Sequence, residues 1–455
     1  MTLPRYGRYK DSGIEWLGEV PAHWQVTRLK FIAHVQTGIA KGKDNTGKDT
    51  VEVPYLRVAN VQDGYLDLED VATIEIPVDD LPRYRLRAGD VLMNEGGDFD
   101  KLGRGHIWDG SIDPCIHQNH VFAVRPFGAS AQWLNLITGS AYAQFYFMSR
   151  SKQSTNLASI SSTNVMELPV VMPPTAEQER IAAFLRTETT TIDRLIDEQR
   201  RLIDLLTEKR QAVIAHAVTK GLNPAAPKTD SGVEWLGHVP EHWSVASLGY
   251  LASVDTGATP DRTRPEYWEG DIPWVKTGEV NYRPIFETEE CISEAGLASS
   301  ATKVAQPGTL LMAMYGQGVT RGRVAMLRVA ATYNQACAAM SFGPNVLSEF
   351  AHYFFVAAYD FIREFGNETS QMNLSSGIIR KVKLTVPPLP EQAAVVAFLD
   401  HATSTINDLL VEAGSAVSLL QERRTALISA AVTGQIDVRD ATARVKADAA
   451  CAPAC

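Results

Sequence analysis

A stretch of nineteen residues occurs twice in this chain of 455. Asp11–Leu29 reads DSGIEWLGEVPAHWQVTRL and Asp230–Leu248 reads DSGVEWLGHVPEHWSVASL, identical at 13 of 19 positions. The offset of 219 continues through Thr37-Gly38 and Thr256-Gly257, VPYLRV from Val53 and IPWVKT from Ile272, and Gly103-Arg104 and Gly322-Arg323. A second match, at offset 214, pairs MPPTAEQERIAAFL (Met172–Leu185) with VPPLPEQAAVVAFL (Val386–Leu399). Self-similarity at a fixed period constrains the fold before any local propensity does. One unit of about 215 residues is used twice, so whatever the first half folds into, the second must fold into also.

Each unit has two parts. The first is rich in Gly and Pro, with short β-type runs at Val53–Val58, Val121–Val124 and Lys383–Val386. The second is a long helix that begins after Pro173-Pro174 or Pro387-Pro388, where proline ends a strand and suits a first helical turn. Leu185, Ile192, Gln199, Leu206 and Val213 stand seven apart, flanked by Leu195, Leu202 and Ile203. Leu399, Ile406, Ala413, Leu420 and Leu427 keep the same spacing, flanked by Leu409 and Ala416. Seven-residue spacing predicts a narrow seam for one partner helix, hence a coiled coil. A helix of about 44 residues spans roughly 65 Å, whereas the linker 221–229 reaches at most about 30 Å. The second globular part must then start at the far end of the first helix, and the second helix returns antiparallel. The expected fold is α+β: two similar globular domains of mixed β-sheet with helices, at opposite ends of two long antiparallel coiled-coil helices, related by a pseudo-two-fold. The expected boundaries are 1–172 for the first globular domain, 173–220 for its helix, 221–229 for the linker, 230–386 for the second domain, 387–436 for its helix and 437–455 for a flexible tail.

Forty-three Lys and Arg against 53 Asp and Glu leave a net charge of −10. Such a chain should not hold nucleic acid by charge alone, since phosphate binding is driven by Lys and Arg releasing counterions. No apolar run has membrane-helix length, and Met1–Lys10 has no apolar core for a signal. Cysteines at 115, 291, 337, 451 and 455 form no C-x-x-C pair and read as reduced thiols in the cytoplasm. Gly42–Asp49 has Walker A spacing but Asp49 replaces the Ser or Thr that ligates magnesium. Gly316-Gln-Gly318-Val-Thr-Arg321-Gly322 places Arg321 where a dinucleotide loop needs glycine. Neither Pro-Pro pair has the flanking residues of an amino-methyltransferase motif, and no lysine follows an acid at the spacing nucleases use. His117-Gln-Asn-His120 is the best enzymatic candidate, but its counterpart, Tyr333-Asn-Gln-Ala336, has no His. A structural or loop-facing role is expected, with no catalytic residue, metal ligand or cofactor.

Comparing the copies separates frame from tips. They share Trp16/Trp235, Pro21/Pro240, Trp24/Trp243, Pro54/Pro273 and Gly89/Gly308, which read as scaffold, and Asp-Ser-Gly, which reads as a turn. They differ in polar segments. Lys41, Lys43 and Asn45 correspond to a stretch holding Thr259, Arg262 and Arg264; Arg57 faces Lys276, and Asn60 faces Glu279. Asn94 lies in the segment matching Tyr315 and Gln317, and Arg104 matches Arg323, with Arg321 nearby. Pro82-Arg83-Tyr-Arg85-Leu-Arg87 alternates like a strand with one cationic face. Arg, Lys, Asn and Gln on loops are the side chains that bond base edges and phosphates. A common frame with different tips implies two related but distinct ligands.

The SG-x-EWLG-x-P-x-HW opening of both halves and the PPxxEQ…FL start of both helices resemble the specificity subunit of type I restriction–modification systems over essentially the whole chain. The loop Thr256–Pro260 followed by Ile272-Pro-Trp-Val-Lys276 is similar to that family's target recognition domains, whereas Gly38-Ile-Ala-Lys41 lacks their Thr-Pro. The resemblance implies a non-catalytic reader of double-stranded DNA, each domain reading one half of a split, non-palindromic site, with the helices setting the spacer. It implies two methylation subunits carrying S-adenosylmethionine and adenine N6 chemistry, joined by ATP-driven restriction subunits. Two alternatives are a duplicated two-lobed binding module for a non-nucleic-acid ligand, which the acidity favours, and a bilobal enzyme, which the absent motifs disfavour.

Overall fold

The computed structural model describes residues 3–42, 45–97, 99, 102–153, 158–316, 319–364 and 374–439. Residues up to Gln199 together with those from Ser415 form one compact unit, and Arg200–Gly414 form the other. The content is α+β in both.

The repeat is legible strand by strand. The first unit opens with an antiparallel hairpin, Tyr9–Asp11 with Glu19–Pro21, and the second with Lys228–Asp230 and His238–Pro240. The Asp-Ser-Gly turns close as expected: Asp11 Oδ1 accepts the Gly13 N–H at 2.9 Å and Asp230 Oδ1 that of Gly232 at 3.1 Å. A four-stranded antiparallel sheet follows in the first unit, in the order Ala33–Thr37, Val121–Pro126, Val91–Asn94, Gly105–Ile107. Ala252–Thr256, Cys337–Phe342, Leu310–Ala313 and Val324–Met326 repeat that order in the second. Beside it lies a three-stranded sheet in which Thr50–Leu56 pairs antiparallel with Ala72–Pro77 and parallel with Ile116–His117. Its counterpart is Trp268–Val275 between Glu290–Ile292 and Thr332–Tyr333. The central strands are buried on both faces, as in Val91-Leu92-Met93 and Leu310-Leu311-Met312. Residues 82–87 are not a strand. Pro82 sits in the first turn of a short helix, Leu81–Tyr84, and the segment then runs irregularly, although Arg83, Arg85 and Arg87 all face solvent.

The two long helices are Thr175–Lys220 and Leu389–Val432. Each is fastened at its start by the glutamate of its Pro-Pro-x-x-Glu-Gln motif. Glu177 accepts from the Trp24 indole Nε1 at 3.2 Å and bonds His23 Nε2 at 2.8 Å; Glu391 bonds His242 at the same distance. Gln178 and Gln392 donate back to the carbonyls of Pro173 and Pro387, at 2.9 and 2.8 Å. The His-Trp of one motif and the Glu-Gln of the other therefore form one junction. Both helices end in a left-handed glycine, Gly221 (φ 72°) and Gly434 (φ 74°). A Cβ on Gly221 would stand 3.0 Å from the Trp243 ring, and one on Gly434 would overlap Pro21 and stand 3.1 Å from Trp24. Trp24 thus receives the start of one long helix and the end of the other, whereas in the second unit the helix start bonds His242 and the other helix's end packs on Trp243.

Within the first unit, Asp193 pairs with Arg424 at 2.8 Å, and Ile181 and Leu185 share a core with Ile428 and Val432. Within the second, Arg210 donates to Asn407 at 2.9 Å, and Ile214 and Val218 share a core with Val395 and Leu399. In each unit, earlier residues of one helix lie beside later residues of the other. Leu185, Ile192, Leu206, Leu399, Ile406 and Ala413 are buried, as the heptad spacing predicts. Leu195 and Leu202 are not: they are 37% and 42% exposed, and Ile196 is buried instead. The buried flanking position thus lies one residue further along than the spacing predicts. The end of the chain also differs from expectation. Val438 is fully buried and the Asp437 N–H donates to Pro4 O at 2.7 Å, so the residues just past the second helix are tied into the first unit.

Replacing Glu177 by Ala leaves a buried indole N–H without its acceptor, an expected loss of about 1–3 kcal/mol. Glu179→Ala, at an exposed position in the same turn, should change stability by less than about 0.5 kcal/mol. Chemical denaturation of the full chain measures both, and equal losses would contradict the junction.

Candidate nucleic-acid interface

The polar segments that distinguish the copies are held on an identical frame. Thr37-Gly38 and Thr256-Gly257 leave their strands so close to the neighbouring backbone that a Cβ on either glycine would stand 2.0 Å from a carbonyl, of His117 or Tyr333. Only glycine fits there. The next residue is pinned in each copy by an aromatic of different chemistry: Tyr55 Oη donates to Ile39 O at 3.0 Å, and Trp274 Nε1 to Ala258 O at 3.1 Å. After the central strand a short 3₁₀ turn follows, and its capping acceptor also differs. The Arg57 N–H is held by Asn60 Oδ1 at 2.8 Å and the Lys276 N–H by Glu279 Oε2 at 2.6 Å.

This geometry sorts the candidate residues. Asn60 and Asn94 are buried: Asn60 also donates to the carbonyls of Asp67 and Asp70, and Asn94 donates to Val61 O at 2.8 Å. Arg321 is buried and donates to Arg363 O at 2.9 Å. These three side chains are spent on the frame, because backbone polar groups buried in loops need partners. Arg323 is half-buried with its guanidinium 5.6 Å from the Tyr282 ring centroid, and Arg104 is half-buried. Lys43 and Gln317 lie outside the described residues.

The others are at the surface or half-buried there. In the first unit Lys41 is exposed, Asn45 donates to Glu75 O at 3.1 Å, and Arg83 lies 5.2 Å over the Tyr84 ring. Arg57 Nη2 meets Asp70 Oδ2 at 2.9 Å, and Arg85 forks onto Asp113 with contacts of 2.8 and 2.5 Å. That fork raises the Arg85 pKa and holds the Asp113 carboxyl below its usual range. In the second unit Arg262 stacks 3.8 Å over Trp268 and 4.9 Å from Trp274, with Nη1 at 2.6 Å from Glu290. Lys276 joins the same carboxylate at 3.2 Å and reaches Glu289 at 2.5 Å, contacts that raise its pKa. Burial acts to raise the Glu290 pKa, yet its bonds to Arg262 and Lys276 bring the carboxyl below the ordinary range. Arg264 donates to Tyr267 Oη at 3.2 Å, Thr259 bonds Gln335, and Tyr315 is 37% exposed.

Four carboxylates, Asp70, Asp113, Glu289 and Glu290, are partners that a search for bases and amides passes over. A signal was present for one pair: Arg57 and Lys276 share a repeat position, and an acidic residue, Asp70 or Glu289, stands just ahead of the next strand in each copy. His117 is wholly buried and donates Nδ1–H to Val121 O at 2.7 Å, and burial lowers its pKa to about 4. It is a neutral structural histidine at neutral pH. His120 stands at the surface, 2.8 Å from Glu95.

A family profile described as Type I restriction modification DNA specificity domain matches residues 240–412. The chain is 21% identical over 458 residues to the type I restriction enzyme MjaVIII specificity subunit of Methanocaldococcus jannaschii, covering 95% of this chain and 98% of that one. Among solved structures it is similar to a chain from a study of complex assembly and conformational transition in the type I R-M system. That likeness has a TM-score of 0.71 at 16% identity and covers 91% of this chain and 98% of that one. The HsdS subunit from Thermoanaerobacter tengcongensis matches with a TM-score of 0.52 at 17% identity, over 92% and 98% of the two chains. At these identities the structural likeness speaks to fold.

The surface ion pairs should add little to stability, because solvated charges gain little from pairing and lose side-chain freedom. Asp70→Asn, Asp113→Asn and Glu289→Gln should each lower the urea midpoint by no more than an ordinary surface substitution does. Losses several times larger in denaturant melts would show that the pairs are structural.

Proposed function

We propose that this chain is a type I restriction–modification specificity subunit, the non-catalytic DNA reader of such an enzyme. Each globular part, 1–172 and 230–386, reads one half of a bipartite, non-palindromic site. The observation that carries this reading is the frame built twice with different tips: the same glycine approach, the same pinned residue and the same capped turn present Arg57 in one copy and Lys276 in the other. Loop cations, amides and hydroxyls of this kind bond phosphates and base edges. The reading residues are then Lys41, Asn45, Arg57, Arg83 and Arg85 in one half, and Thr259, Arg262, Arg264, Lys276 and Tyr315 in the other.

The helical segments 173–220 and 387–436 serve as an antiparallel strut whose length sets the unread gap. Supporting this are the cross-helix contacts inside each unit, Asp193 with Arg424 and Arg210 with Asn407. Exposed leucines on the helices, Leu195, Leu202, Leu409 and Leu419 among them, suit the docking of two methylation subunits, which in turn gather the restriction subunits. Those partners bring the methyl donor, the ATP-driven steps and much of the phosphate contact, which reconciles a net charge of −10 with a DNA ligand. No helix among the described residues is long and apolar enough to cross a membrane, and the cytoplasm is where such a subunit meets DNA.

Methylome sequencing of a host that expresses this chain with its methylation partner tests the role directly. The expected result is N6-methyladenine in a split motif with one fixed gap. An ungapped or palindromic motif would sink the two-reader assignment, and absence of sequence-specific DNA binding by the complex at any salt would favour a non-nucleic-acid ligand.

The ruler has its own test. Gly221 is buried against Trp243, so an insertion there would disturb the second unit. Four residues added midway along both helices, about 6 Å, should widen the gap by one or two base pairs of roughly 3.4 Å each. Both half-sites should remain unchanged in the methylome. A change of half-site sequence would break the division between strut and readers.

A further inference from the structure

Resting on the DNA-reading role above, we propose that Asp70, Asp113, Glu289 and Glu290 are discrimination elements. They keep the reading cations neutralised, so that phosphate alone cannot recruit them. Three observations carry this. First, the pair recurs with both residue types exchanged: Arg57–Asp70 at 2.9 Å and Lys276–Glu289 at 2.5 Å, the cation at one repeat position and the carboxylate in each case just ahead of the strand that pairs with the central one. Two copies that have diverged in their tips both retain a cation and a carboxylate there. Second, each unit adds a further pair on its own terms, Arg85–Asp113 in the first and Arg262–Glu290 in the second. Third, Asp70 is 90% exposed and Glu289 71% exposed, so pairing there gains little stability and does not explain why the carboxylates are kept.

The consequence for binding follows from counterion release. A free surface cation that meets a phosphate releases a condensed ion and gains affinity for any duplex, whatever its sequence. A cation already matched by a carboxylate gains much less. To serve a phosphate it must leave its partner, and the carboxylate is then left facing the polyanion. A held guanidinium can still present donor edges to a base, because that contact depends on geometry and not on net charge. Arg262 shows the arrangement most fully: its plane lies on Trp268 while one edge is occupied by Glu290. The carboxylates therefore penalise complexes that rest on phosphate contact alone more than complexes at the correct bases, and specificity is a difference between the two.

The test uses the full chain with its methylation partner and two 30-base-pair duplexes of equal composition. One carries the motif mapped by methylation, and the other has that motif scrambled. Affinity is measured by fluorescence anisotropy from 50 to 300 mM KCl. Asp70→Asn and Glu289→Gln/Glu290→Gln should tighten binding to the scrambled duplex about three- to tenfold at 100 mM salt. The salt slope should steepen by nearly 1 for each cation set free, while motif affinity rises less, so the ratio of the two falls. Methylome sequencing with the same variants should show N6-methyladenine spreading to sites that miss one base of the affected half. Glu349→Gln is the control: it frees Arg328, paired at 3.2 Å outside the reading loops, with the same change in net charge as Asp70→Asn and half that of the double variant. An unchanged ratio in the carboxylate variants, or an equal fall in the control, overturns the proposal while leaving the DNA-reading role standing. A wild-type complex that does not prefer the motif duplex removes that role, and this inference with it.

Discussion

Everything in this fold hangs from a carboxylate at the start of a helix. Glu177 takes a histidine and a tryptophan indole from the loop that follows the opening hairpin, and Glu391 takes the matching histidine. A charged group with low exposure persists only when its lone pairs are satisfied, so each glutamate needs the hairpin as much as the hairpin needs the helix. The glycine that ends the other helix packs on Trp24 in one unit and Trp243 in the other. Start, end and hairpin meet at one point in each unit, and the sheets that carry the loops are built outward from it.

The surface chemistry is a second layer of the same economy. A chain with ten more acids than bases presents four of its loop cations, Arg57, Arg85, Arg262 and Lys276, already matched. Net charge then measures something other than affinity for a polyanion. It describes a surface on which shape and hydrogen-bond direction can outweigh attraction at a distance, and attraction is left to other subunits.

How much of this was legible in the sequence depends on the range of the physics involved. The Asp-Ser-Gly turns, the strand over Val121–Val124 and the helix starts after Pro-Pro follow from neighbours a few residues apart, and the structure has them there, the strand running on to Pro126. The internal repeat extended that reach across half the chain. What it could not supply was orientation. Leu195 and Leu202 fit a seam by spacing, yet Ile196 is the flanking residue that is buried. Asn60 and Asn94 have the right chemistry for a base edge, and only the fold reveals that buried carbonyls claim them. Residues 82–87 alternate in exposure as a strand would, while Pro82 turns them into something else. The carboxylates were invisible for a different reason: pairing Arg85 with Asp113 requires the chain to return across intervening strands.

The tie between Asp437 and Pro4 gives the chain a cyclic order. In the second unit the segment after a long helix runs covalently into the next hairpin through residues 221–229; in the first, the segment after a long helix meets the opening hairpin through hydrogen bonds, including Tyr9 Oη to Gly434 O at 2.9 Å. The two joints do the same mechanical work, and only one of them is a peptide chain.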